Sequence, residues 1–221
     1  MRRRMIFADR YEAGLLLADR LAEMALPNAL VIALPRGGVP VGAQIARRLD
    51  VPLDVAFVRK LGAPDEPELA IGAVADGDPP ETVLNARVVE ELGLSGDFVR
   101  SAVAHELAVI DQRRRDYADV RPAVEPGGRT VIVVDDGVAT GMTMQAALRS
   151  IRRRGAVRVI AAVPVASREA AAMLQEEADD VVCLSAPRRF GSVGSFYRLF
   201  GQVSDADVIR LLQEAAAHRG A

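Results

Sequence analysis

The sequence has no tryptophan, and aromatic residues fill only 4% of its 221 positions. Such a chain must build its core from aliphatic side chains, so its few aromatic clusters stand out. It has one cysteine, Cys183, which excludes an intramolecular disulfide. The surrounding run Val181-Val182-Cys183-Leu184 reads as a buried strand, and the expected setting is reducing and cytoplasmic. The two histidines, His105 and His218, fall on predicted helices without the partners that a metal centre or catalytic triad needs. No run approaches the roughly twenty apolar residues that cross a bilayer. The basic start at 1–5 meets Asp9 and Arg10 before any apolar stretch develops, so a soluble, unprocessed protein is expected. Neither sign of charge dominates: 28 basic against 30 acidic residues gives no global reason to expect nucleic acid or an anionic membrane as partner. Lysine is nearly missing as well, since Lys60 is the one lysine among those 28 basic residues.

Half of the residues are hydrophobic, enough for one domain over 1–221 with a full core. Short Val/Ile/Ala/Leu runs at 29–34, 53–58, 69–75, 130–135, 157–163 and 180–184 read as strands. Amphipathic stretches at 10–24, 39–49, 96–117, 142–153, 168–177 and 205–217 read as helices. Their alternation predicts an α/β fold with a mainly parallel sheet flanked by helices. The region 82–121 interrupts it as a helical insertion, with Asn85 and Ser95 as caps. Segment 62–68, rich in proline and acids, reads as a mobile loop. At 185–203, Phe190, Phe196 and Tyr197 gather with Arg188 and Arg189, forming either a small hood where a ring could stack or a packed cluster.

The most informative string is 130–143. Thr130-Val131-Ile132-Val133-Val134 reads as a buried strand, Asp135-Asp136 ends it, and Gly137 to Thr143 turns into a helix that starts near Gly141. Ligands of open α/β sheets bind at this carboxyl end of a strand. The helix start offers free amides and a positive dipole end. Gly137 and Gly141 let the backbone wrap an anion, and Thr140 and Thr143 add hydroxyl donors. Together these make a phosphate pocket. Acids are the wrong sign for phosphate, so Asp135 and Asp136 should face a ribose-like diol or a metal ion carried with the ligand. A strand that merely ends in acids before a capped helix would account for each residue but not for the whole string. Leu34-Pro35-Arg36-Gly37-Gly38 ends the first strand at the same edge, as a second anion loop or a plain turn. Arg59-Lys60 is read as ending the second strand there too, as a third basic group or a solvated pair.

Two acids, the turn Gly137-Val138-Ala139 and the helix start Thr140-Gly141-Met142-Thr143 closely resemble the motif with which type I phosphoribosyltransferases bind 5-phosphoribosyl-1-pyrophosphate (PRPP). The resemblance implies a fold of that type and a catalytic role for Asp135 and Asp136 at the ribose hydroxyls. It also implies a 5-phosphate cradle from Gly137 through Val138, Ala139, Thr140, Gly141 and Met142 to Thr143. Arg36, Gly37 and Gly38 look like that family's pyrophosphate loop, and Arg59 and a catalytic Lys60 like its basic residues near the leaving group. The implied reaction displaces pyrophosphate from C1 of PRPP by a small nitrogenous acceptor. Magnesium would be carried mainly by PRPP, with no direct protein ligand, and the resemblance leaves room for a homodimer. Family members acting on hypoxanthine and guanine usually carry an acid where this chain has Ala139, which turns the expectation away from 6-oxopurines.

No Gly-x-x-x-x-Gly-Lys-Ser/Thr string occurs, and Gly37-Gly38-Val39-Pro40-Val41-Gly42 does not match Gly-x-Gly-x-x-Gly, so nucleoside-triphosphatase and dinucleotide-binding readings lack their motifs. The rival from another class is a PRPP-binding regulator without turnover. No basic excess of the kind a nucleic-acid module would bring supports it.

Overall fold

The computed structural model describes residues 6–67, 69–118 and 123–220. Five strands, β1 (Ala29–Ala33), β2 (Leu53–Val55), β6 (Thr130–Val134), β7 (Arg158–Val165) and β8 (Asp180–Ser185), form a parallel sheet in the order β2-β1-β6-β7-β8. Alternate side chains of these strands enter separate cores. Val31, Ile132 and Ile160 pack with Leu17 and Leu21 of α1 (Arg10–Ala22), Ile45 of α2 (Gly38–Leu49) and Leu212 of α7 (Asp205–Gly220). Leu30, Val131, Val133 and Val159 face Leu148 and Ile151 of α5 (Met142–Arg153) and Leu174 of α6 (Arg168–Glu177). Burial on both faces is why β1 is an unbroken apolar run and β6 is apolar from Val131 to Val134. Each such aliphatic side chain contributes roughly 1.5–3 kcal/mol when fully buried.

Strands β3 (Val58–Gly62), β4 (Ala70–Ala75) and β5 (Glu81–Leu84) form a separate antiparallel sheet. Leu61, Ile71 and Val74 pack on Ile110 of α4 (Gly96–Ala118), while Ala73, Ala75 and Val83 pack on Ala146 of α5. Three expectations are corrected here. The strand at 53–58 breaks after Val55, because Asp54 diverts its carboxylate to the amides of Val55 (2.8 Å) and Val124 (2.6 Å) and the chain crosses to the second sheet. The strand at 69–75 joins that second sheet instead of the parallel one. The region 82–121 opens as strand, not helix; its helices begin at α3 (Ala86–Glu91), and residues 119–121 lie outside the described ones. Asn85 and Ser95 do cap, accepting from the amides of Val88 (3.3 Å) and Phe98 (3.1 Å). The loop expected at 62–68 folds back on itself, with the Leu69 amide donating to the Glu66 carbonyl at 2.9 Å; Glu68 lies outside the described residues. No helix among the described residues is long and apolar enough to cross a membrane.

Parallel pairing fixes the place of the site. Ala33 lies opposite Val134 and Val134 opposite Ala162, so the chain segments leaving β1, β6 and β7 emerge at one edge.

Candidate functional site

The segment 135–141 leaves β6 and is held from below by the β7–α6 connection. The Val138 amide donates to the Val165 carbonyl (2.9 Å), the Ser167 amide to the Val138 carbonyl (2.9 Å), and the Ser167 hydroxyl to the Ala139 carbonyl (2.7 Å). Gly137 is packed so closely that a Cβ would lie 2.6 Å from Val193 Cγ1. Gly141 has φ +88° and turns the chain into α5, whose first ladder bond runs from the Gln145 amide to the Gly141 carbonyl at 2.8 Å. The amides of Ala139, Thr140, Gly141, Met142 and Thr143 have no partner among the described residues. Thr140 is exposed and Thr143 half-buried beside them. A turn with unpaired amides at a helix start is a ready anion cradle.

The acid pair is more enclosed than its sequence suggests. Asp136 is 9% exposed, and the Arg10 guanidinium donates to its carboxylate at 2.7 Å. Its backbone carbonyl accepts the Tyr197 hydroxyl at 2.5 Å. Asp135 is partly buried; the one bond its carboxylate makes among the described residues is from the Asp136 amide, at 2.8 Å. Burial, then the neighbouring Asp136 charge, pushes the Asp135 carboxyl well above the usual carboxylate range. Arg10 and Lys60 act in the other direction without cancelling it. Burial raises Asp136 too, with Arg10 opposing. Ionising both carboxyls is therefore unfavourable in these surroundings, and a cation or a set of hydroxyl donors at Asp135 would offset that cost.

Gly37 and Gly38 lie directly against this pair. A Cβ on Gly37 would collide with the Asp136 carboxylate, and one on Gly38 would sit 2.6 Å from the Val134 carbonyl oxygen. The amides of Arg36 and Gly37 have no partner among the described residues. The Arg36 guanidinium lies 3.6 Å from Asp205, which also accepts the Tyr117 hydroxyl at 2.6 Å. Arg10, Arg36, Gly37, Asp136, Phe200 and Gln202 line an open cavity of about 470 Å³. At Gly38, alanine is expected to force the two loops apart: folded Gly38→Ala protein should show a lower melting temperature than wild type in a thermal scan, and equal melting would show that the loops do not touch in solution.

Comparison with known proteins decides the family. The family described as "Phosphoribosyl transferase domain" matches residues 11–198. The chain belongs to this phosphoribosyltransferase family. Two Mycobacterium tuberculosis proteins, from strains CDC 1551 and H37Rv and each named "Putative phosphoribosyl transferase", are 41% identical to it over 210 residues. That alignment takes in 95% of this chain and 47% of theirs, so the chain spans about half the length of the curated relatives it matches. The crystal structure of TT1426 from Thermus thermophilus is similar with a TM-score of 0.81 at 45% identity, over 95% of this chain and 99% of that one.

Within this phosphoribosyltransferase chain, the structure gathers Arg36, Gly37, Gly38 and 135–143 at one edge and separates Arg59 from Lys60. Both lie within β3 and not at the end of a parallel strand, so strand alternation sends them to opposite faces. Arg59 bonds Glu106 of α4 at 2.7 Å and lines a small cavity with Pro35, next to the Arg36 loop. Lys60 is exposed, and its charge reaches Asp135. Of the hood aromatics, Phe196 and Tyr197 are buried against Phe7 and Val165, so they are core and not an open stacking surface. Arg10 and Phe200 were missed. Arg10 reads locally as a helix start, and only the fold brings it to Asp136.

Proposed function

We propose that this chain binds Mg–PRPP across the 135–143 turn and the Arg36-Gly37-Gly38 loop and transfers its phosphoribosyl group to a small nitrogenous acceptor. The observation that carries the reading is the run of amides at 139–143 that have no partner among the described residues, set against an enclosed acid pair and touching a second glycine loop whose Arg36 and Gly37 amides likewise have none there. The 5-phosphate sits on the first set of amides and the pyrophosphate on the second, assisted by Arg36. Asp135 faces the ribose diol, and its hydroxyls satisfy a carboxylate that the protein leaves short of partners. Magnesium fits this donor set, because the ion dehydrates reluctantly and takes one or two carboxylates plus phosphate oxygens. When bound it would neutralise pyrophosphate as a leaving group. What the protein supplies is positioning and fixed electrostatics around charge that develops on the ribose ring and pyrophosphate.

The acceptor enters from the cavity beside Phe200 and Gln202. Ala139 is exposed and brings no carboxylate to a base, which speaks against a 6-oxopurine. Incubating the protein with Mg–PRPP and a panel of bases and amines, with pyrophosphate release as readout, tests transfer. Release with one acceptor class is expected. Tight PRPP binding with no release from any acceptor would favour a regulator that keeps the pocket without turnover.

Lys60 permits a clean chemical check, because an amine-selective reagent can modify only it and the amino terminus. Its ammonium is a compact, flexible point charge able to follow a leaving pyrophosphate. Saturating Mg–PRPP is expected to shield Lys60 from labelling, as read by peptide mass. Equal labelling with and without PRPP would place Lys60 outside the site.

A further inference from the structure

Asp136 lines the cavity but is held from two sides. Its carboxylate is pressed against Gly37 so tightly that no Cβ fits there, and Arg10 holds it from the other side at 2.7 Å. Arg10 is fixed in turn: it donates to the Gly201 carbonyl at 2.8 Å, and its guanidinium lies 3.9 Å from the centre of the Phe200 ring. Phe200 stacks on Tyr197 with ring centres 5.0 Å apart, and the Tyr197 hydroxyl returns to the Asp136 carbonyl at 2.5 Å. Thus one closed ring of contacts joins the first turn of α1, the acid pair, the Gly37 loop and the segment 197–201. With side chains only 12% exposed on each partner, the Arg10–Asp136 pair is shielded from solvent. Burying a charge unpaired costs several kcal/mol, so neither partner is free to leave without the other being met.

We infer that Arg10 is a positioning residue of the PRPP site, clamping Asp136 against Gly37 and holding segment 197–201 as the wall of the acceptor cavity. This rests on the PRPP reading above. Asp136 thereby joins the turn to the pyrophosphate-side loop. Arginine suits the clamp because its planar fork serves a carboxylate and a carbonyl at once, which a lysine ammonium on a flexible stem does less well.

The test is a double-mutant cycle read by calorimetric titration of Mg–PRPP into wild type, Arg10→Met, Asp136→Asn and the double variant. If Arg10 acts through Asp136, each single change weakens PRPP by about tenfold, and the double variant binds no worse than about threefold beyond the weaker single. Arg10→Lys should recover part of the loss, since charge survives while the fork does not. A merely structural arginine would lower the melting temperature without that rescue in affinity. Should Arg10→Met fail to fold, Arg10→Lys and the double variant, in which charge and counter-charge leave together, still complete the comparison. PRPP affinity of Arg10→Met within threefold of wild type, or losses that multiply in the double variant, would overturn the clamp while leaving the PRPP site standing. Absence of PRPP binding by the wild type would bring down the function reading and the clamp with it.

Discussion

Valine at Gly141 is expected to abolish binding of both PRPP and ribose 5-phosphate, because the two ligands share the 5-phosphate that the turn would hold. Two obstacles meet a side chain there. Its Cβ would collide with the Cε of Met173, but that is the free end of a flexible chain and can swing away. The backbone cannot: φ is +88°, a region costing a β-branched residue on the order of 1–3 kcal/mol. The second term decides the outcome. The turn relaxes toward negative φ and the amides of 140–143 no longer converge. A folded chain of this size loses roughly 2–4 °C of melting temperature for each kcal/mol, so the variant should remain folded at room temperature. Retention of ribose 5-phosphate binding by folded Gly141→Val protein, in a calorimetric titration, would put the phosphate elsewhere.

Asparagine at Asp135 should produce opposite effects on function and stability. PRPP affinity falls by at least about tenfold, or 1.4 kcal/mol, because the diol loses its charged acceptor. The melting temperature at neutral pH rises, because the change removes a carboxyl whose ionisation burial and Asp136 oppose, and keeps an oxygen for the Asp136 amide. The sign follows from linkage. The folded-state carboxyl titrates above its unfolded value, so the native state holds its proton more tightly. Its ionised form therefore costs stability at every pH above the raised folded value. That cost shrinks as pH falls and is gone below about 3.9, the unfolded aspartate value. The advantage of Asp135→Asn in thermal scans should be present at neutral pH and vanish in acid. Equal melting of the two proteins at neutral pH would show that Asp135 is solvated.

These two positions were legible in the sequence because their signals are local. An apolar strand, two acids, two glycines and a helix start fall within fourteen consecutive residues, and each element forms where its own residues dictate. Arg10 was not legible. It lies 126 residues from its partner Asp136, and nothing in the first turn of a helix says which loop it will meet. The small antiparallel sheet was half legible. The strand at 69–75 is apolar enough to be seen, but β5 has only four residues and its first, Glu81, is buried in an ion pair with Arg153. Val58, Arg59, Lys60 and Leu61 run apolar-polar-polar-apolar, so no alternation in the sequence marks β3 as a strand or separates Arg59 from Lys60. Tyr197 and Phe196 show the converse case, in which an aromatic cluster rare enough to suggest a binding surface is spent on the core.

The central claim is that one PRPP molecule spans the 135–143 turn and the Arg36-Gly37-Gly38 loop. Calorimetric titration of Mg–PRPP into the wild-type protein, repeated with ribose 5-phosphate already present, tests it most directly. The account predicts saturable binding at one site per chain, weakened in competition by ribose 5-phosphate and lost in Gly141→Val. Absence of saturable binding, or binding that neither ribose 5-phosphate nor Gly141→Val disturbs, would contradict it.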